Sequence, residues 1–136
     1  MTKIYLDTNV ILDALFQRKP FDKDARQIFE LADMQQIQLF TSADSMTNMY
    51  YLISKQFDKN TAYIALLKVR ALTSISSVDQ TIIDQGLKID PFDFEDAVQY
   101  FSAKEAECEV IISRDKKGFK QFDMLCQTPK EFLDSL

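Results

Sequence analysis

Lys3-Ile4-Tyr5-Leu6-Asp7-Thr8-Asn9-Val10-Ile11-Leu12 is the stretch on which the fold turns. A short apolar run rich in β formers stops at Asp-Thr-Asn, and an apolar pattern of helical character resumes at Val10. This reads as a buried strand over 3–6 that delivers Asp7 to its C-terminal end, then a short helix over 9–16. In an open parallel sheet, ligands bind outside the carboxyl ends of the strands. Twice more along the chain an aspartate arrives at a turn or helix start.

Gln17-Arg18-Lys19-Pro20 breaks the first helix, and a second follows over about 21–35. Its apolar residues Ala25, Ile28, Phe29 and Ala32 recur at i, i+3, i+4 and i+7. A strand is expected at 37–41. The helix expected over 43–56 should turn Met46, Met49, Tyr50 and Ile53 inward. Another helix starts at Asp58-Lys59-Asn60-Thr61 and runs to about 70. A third strand falls within 72–78, weakened by its serines, and Asp79 opens a helix through Leu87. After a break over 89–92 comes the clearest helix, 94–107, with Phe94, Ala97, Val98 and Phe101 at core spacing. Strands at 109–113 and 124–126 flank a polar turn with room for a short helix. Thr128-Pro129-Lys130-Glu131 then has the cap, first-turn proline and glutamate of a helix start. Alternating strands and helices predict a three-layer α/β/α sandwich on a mostly parallel five-stranded sheet, one domain over 1–136.

Composition narrows the chemistry. The net charge of −5 is the wrong sign for a general nucleic-acid binder, so any contact with RNA needs local basic clusters or a divalent ion. The absence of histidine excludes imidazole bases and histidine-containing zinc sites. With only Gly86 and Gly118, the chain has no glycine-rich phosphate cradle. Cys108 and Cys126 read as buried thiols rather than a disulfide or metal pair. No apolar run suits a membrane span or signal peptide, so a cytoplasmic location is expected. Carboxylate chemistry remains, most naturally with a hard cation such as Mg²⁺ or Mn²⁺.

Each carboxylate alone has a bland reading. Asp7 and Asp93 sit where N-caps sit, acids in the first turn suit the helix dipole, and Asp115 fits a turn. Together they say more. Asp7 and Asp115 follow apolar strands, and Asp93 and Asp96, three apart, share one side of a helix start. A parallel sheet brings strand ends to one edge, where clustered acids repel and a divalent cation relieves them. Such an ion activates water and stabilises a phosphoryl centre.

Leu6-Asp7-Thr8-Asn9-Val10-Ile11, Asp93-Phe94-Glu95-Asp96-Ala97, and Ile112-Ser113-Arg114-Asp115 followed by Phe119 resemble the PIN domain, including the VapC-type toxins. The likeness runs over essentially the whole chain. It implies a metal-dependent ribonuclease in which Asp7, Asp96 and Asp115 bind Mg²⁺ or Mn²⁺, with Asp93 nearby. Thr8, Asn9 and Ser113 would support them. One position departs from the family: Asn48 stands where a glutamate is usual, offering a neutral oxygen without charge or basicity. Asp44, one turn earlier, is placed to compensate. The resemblance also implies pairing of two copies through helices and, for toxins, a small antitoxin partner.

Two other readings compete. A PIN-like domain that binds RNA or protein without cutting is consistent with Asn48 and the acidic charge. A phospho-acceptor domain of the receiver type would need a second acid beside Asp7, where Leu6 stands, and a lysine just after the last strand. Arg114, Lys116 and Lys117, with Lys120, form a basic cluster beside Asp115. It is either a solvated turn or a contact for the phosphate backbone. Tyr50 and Tyr51 are candidates for stacking on bases, with at least one expected in the core.

Overall fold

The computed structural model describes residues 1–89 and 93–136. The central strand is β1, Thr2–Leu6, and its alternation sorts the core. Ile4 and Leu6 point to one face of the sheet and Tyr5 to the other, as the two-residue period of a strand requires. The same holds for β2 (Ile37–Ser42), with Ile37 and Leu39 opposite Phe40, and for β4 (Val110–Ile112), with Val110 and Ile112 opposite Ile111. Strand β3 spans Thr73–Ser76 and β5 Leu125–Gln127. All four strand pairings are parallel, in the order β3-β2-β1-β4-β5.

The face carrying Ile4 and Leu6 packs on aliphatic helices. These are α1 (Thr8–Phe16), α2 (Asp22–Asp33), α3 (Ala43–Gln56), α4 (Lys59–Leu72) and the C-terminal α7 (Pro129–Asp134). The opposite face is aromatic. Tyr5 and Phe40 meet Tyr100 of α6 (Phe94–Glu105) and Phe119, while α5 (Gln80–Leu87) packs on α6. Gly86 has no side chain because Phe94 and Val98 lie against it: a Cβ there would sit 3.1 Å from Val98. This is the expected α/β/α sandwich.

Small departures have local causes. Helix α1 ends at Gln17, whose left-handed backbone (φ 51°) turns the chain and whose N–H returns to Asp13. Of the serines that weaken the third strand, Ser74 accepts from Gln38 of β2 at 3.2 Å, and Ser76 Oγ lies 2.6 Å from the Ser102 hydroxyl of α6, which also bonds the Ser77 carbonyl. Of the residues of α3 expected inside, Met49 and Ile53 are buried and Met46 partly so, while Tyr50 is exposed, as is Tyr51. The break over 89–92 lies largely outside the described residues. Both cysteines are free, Cys108 buried and Cys126 half-buried. No helix among the described residues is long and apolar enough to cross a membrane.

Candidate active site

The strand order creates one switch point. From β1 the chain steps to β2 and β3 on one side, then returns to β4 on the other. A crevice opens at the carboxyl end between β1 and β4, the place where open α/β sheets bind ligands. Asp7 leaves β1 there, and Ser113-Arg114-Asp115 leave β4 beside it. The backbone joins them, Asp7 N–H donating to the Ile112 carbonyl at 3.0 Å.

Asp7 occupies the N-cap position of α1 but makes no capping bond, whereas Asp58 and Asp79 each cap their helices through the side chain. Its carboxylate instead accepts the Ser113 hydroxyl at 2.8 Å. Ser113, fully buried, also accepts the Asp115 N–H at 3.1 Å and so ties the two acids together. Asp115 bonds the Lys117 N–H at 3.2 Å, keeping the turn role that its position suggested.

The two acids share a cavity of about 430 Å³. Thr8 and Asn9 line it from α1, Asp44, Ser45 and Asn48 from α3, and Glu95, Asp96 and Gln99 from α6. Five carboxylates therefore face one space, and no lysine or arginine lines it among the described residues. Burial pushes the Asp96 carboxyl up to about 6, with Asp7, Asp115, Asp93 and Glu95 adding their repulsion. Burial also raises Asp7. The Ser113 hydroxyl, the Thr8 amide and the Gln99 side chain work against that rise, and Asp115 adds to it.

Other expected site residues sit differently. Asp93 does not line the cavity; it accepts Gln121 Nε2 at 3.0 Å, and Glu95 takes the place on the wall. Arg114 is not a free cation beside Asp115. Its Nε donates to buried Asp13 at 2.6 Å, and its guanidinium lies 4.1 Å from the Phe21 ring centroid. Arg18 grips the same Asp13 at 2.8 Å and reaches the Asn9 carbonyl at 3.1 Å. Lys116 pairs with Glu131 at 2.9 Å. Lys117 is exposed, without an ion-pair partner among the described residues.

Three contributors were not singled out from sequence. Gln99 Oε1 meets the buried Tyr5 hydroxyl at 3.1 Å, and its amide supports Asp7. Asp13 anchors the two arginines. Gly118 lets the Asp96 carboxylate pack against the 3-10 turn Lys116–Phe119, where a Cβ would overlap it.

The donors on the wall are oxygens of five carboxylates, three side-chain amides and two hydroxyls, which suits Mg²⁺ or Mn²⁺ and not a soft metal. Among the described residues, no three acidic or cysteine side chains stand close enough together to hold a metal ion as the structure is. Like charges facing one another across a cavity separate until a cation offsets them.

Comparison with known proteins agrees with this fold. A PIN domain family model matches residues 3–117. Ribonuclease VapC1 of Aquifex aeolicus (strain VF5) is 29% identical over 137 positions, covering 97% of this chain and 94% of the relative. The fold is shared with VapBC2 from Rickettsia felis bound to a promoter DNA fragment, at TM-score 0.72 and 13% identity over 93% of this chain and 98% of that one. It is shared too with Mycobacterium tuberculosis VapC20, a Sarcin-Ricin loop cleaving toxin, at TM-score 0.68 and 12% identity over 90% and 98%. With Asp7, Asp96 and Asp115 gathered at the switch point and the family model spanning all three, the chain belongs to the PIN domain family.

Proposed function

We infer that this chain is an endoribonuclease hydrolysing RNA phosphodiester bonds, the toxin half of a type II toxin–antitoxin pair, acting in the cytoplasm as one domain over 1–136. The supporting observation is the cavity itself: five carboxylates at the sheet's switch point with no basic side chain on its wall among the described residues. Ribonuclease VapC1, similar along almost its whole length, has the same activity class in its name.

Asp7, Asp96 and Asp115 would hold Mg²⁺ or Mn²⁺, with Asn48 as a neutral oxygen donor and Asp44 and Glu95 adding charge. When bound, the ion supplies Lewis-acid activation of water and offsets charge on the phosphoryl oxygens. The chain's own residues do the positioning. Ser113 holds Asp7 and the Asp115 backbone in one frame, and the Gln99 side chain favours the ionised form of Asp7. Asp13 anchors Arg114 and, through Arg18, steadies Asn9. Lys117 meets the substrate backbone, a role expected of all three cations before Arg114 and Lys116 proved to be paired.

A second copy of the chain and a small antitoxin are the partners this reading implies. Exposed Tyr50, Tyr51, Tyr63, Ile64 and Leu67 on α3 and α4 supply an apolar surface for association. A dimeric mass in solution would support the pairing, and a monomer at high concentration would count against it.

The test of activity is cleavage of a mixed pool of folded and single-stranded RNAs with Mg²⁺, Mn²⁺ or EDTA. Cutting should require metal and fall on the order of a hundredfold or more in Asp96→Asn. No cutting by the unaltered protein with either metal would favour the binding role that Asn48 suggests, and Asn48→Glu would be the first change to make.

A further inference from the structure

The turn that carries Asp115 has two sides. Asp115 lines the acidic cavity and Gly118 lies against Asp96. Lys116, Lys117, Phe119 and Lys120, from the same turn, line a second cavity of about 540 Å³, closed by Phe122, Met124, Leu125 and Cys126 ahead of and within β5. We propose that this second cavity is a subsite for the ribonucleotide next to the scissile phosphate. Its lysines would hold the backbone, and its apolar wall would take the base. The proposal rests on the nuclease reading above and adds where the strand runs.

Charge is the first argument. The chain carries −5 overall, yet three lysines within five residues line this one cavity. Lys116 is spent on Glu131, while Lys117 and Lys120 are exposed and have no ion-pair partner among the described residues. Two ammonium groups with no ion-pair partner among the described residues, beside an acidic centre, suit a polyanion that crosses from one cavity to the other. The wall is the second argument. Phe122 is stacked on Tyr100 at 4.4 Å and meets Phe101 edge-on, so its ring is held in place before any ligand arrives. Leu125 is exposed on the edge strand and Met124 is half-buried. A fixed aromatic with soft apolar neighbours takes any base by its face, and lysine contacts to phosphate do not read sequence. Scale is the third argument. The volume falls in the roughly 300–1,000 Å³ range of small-ligand pockets.

The test uses full-length Asp96→Asn protein, which binds without cutting, and a mixed-sequence single-stranded RNA substituted with 4-thiouridine. Irradiation should cross-link the RNA within 119–126, located by mass spectrometry of the digested protein. Adding Lys117→Glu and Lys120→Glu should weaken RNA binding about tenfold and reduce the salt slope by about 1.4. Lys59→Glu with Lys68→Glu on α4 is the charge-matched control and should change neither. RNA binding with no cross-link in 119–126, and with both double variants alike, would overturn the subsite while leaving the nuclease reading intact. No RNA binding at all by the Asp96→Asn protein would overturn both.

Discussion

Asp13 and Asp96 are both carboxylates withdrawn from water, and their surroundings are opposite. Asp13 is fully buried on α1 and gripped by two guanidinium groups, Arg18 at 2.8 Å and Arg114 at 2.6 Å. Asp96 has other acids for neighbours: Asp7, Asp115, Asp93 and Glu95 all push its proton affinity up. One region is neutralised by its own chain, and the other has no lysine or arginine on its wall among the described residues. A buried acid with its counter-charges built in supports structure, whereas a cluster of acids without them is suited to a cation from outside.

Removing the built-in pairing should have the largest effect on folding. Asp13→Ala leaves two arginines without their anchor and frees the Asn9 and Asp115 ends of the site. Both arginines are partly exposed, at 41% and 30%, so the cost belongs at the low end for a broken buried pair, about 3 kcal/mol in urea unfolding. A loss below about 1 kcal/mol would mean that the pairing contributes little.

A smaller change probes the other region. Gly118→Ala places a methyl group where the Asp96 carboxylate packs, so that carboxylate must rotate away. RNA cleavage should fall about tenfold with little change in stability, because displaced catalytic groups lose rate steeply. Unchanged cleavage would show that Asp96 works from another rotamer.

The smallest effect is on pH dependence. The carboxyl of Asp96 sits at about 6 in the fold against 3.8 ordinarily, so between those values the folded state holds the proton and the unfolded state releases it. Stability from this group therefore falls as pH rises from about 4 to about 6, then levels off. Asp7 is shifted in the same direction. Thermal unfolding across that range without metal should show the slope, and Asp96→Asn should flatten it.

The contrast also explains what could be read from sequence. The three strands that place the site, β1, β2 and β4, are short apolar runs whose alternation survives intact, and α3 spans the 43–56 expected of it. Asp7, Asp96 and Asp115 were legible because strand and helix ends are punctuated in sequence. Partners across the fold were not. Nothing near Arg114 announces Asp13, 101 residues away, as its counter-ion. Tyr50 has helical core spacing, but the neighbouring α4 leaves it exposed. Gln99 stands one turn after Asp96 on the same helical side, a signal that was available. Gly118, one of two glycines in the chain, marks a close approach whose other party only the folded structure identifies.

The most direct measurement is a calorimetric Mn²⁺ titration of the RNA-free protein at pH 7, comparing unaltered protein, Asp96→Asn and the Lys59→Glu, Lys68→Glu control. The account expects saturable binding that is lost or weakened at least tenfold in Asp96→Asn and unchanged in the control. Binding of equal strength in all three, or none in the unaltered protein, would contradict the claim that the uncompensated acids form a metal site.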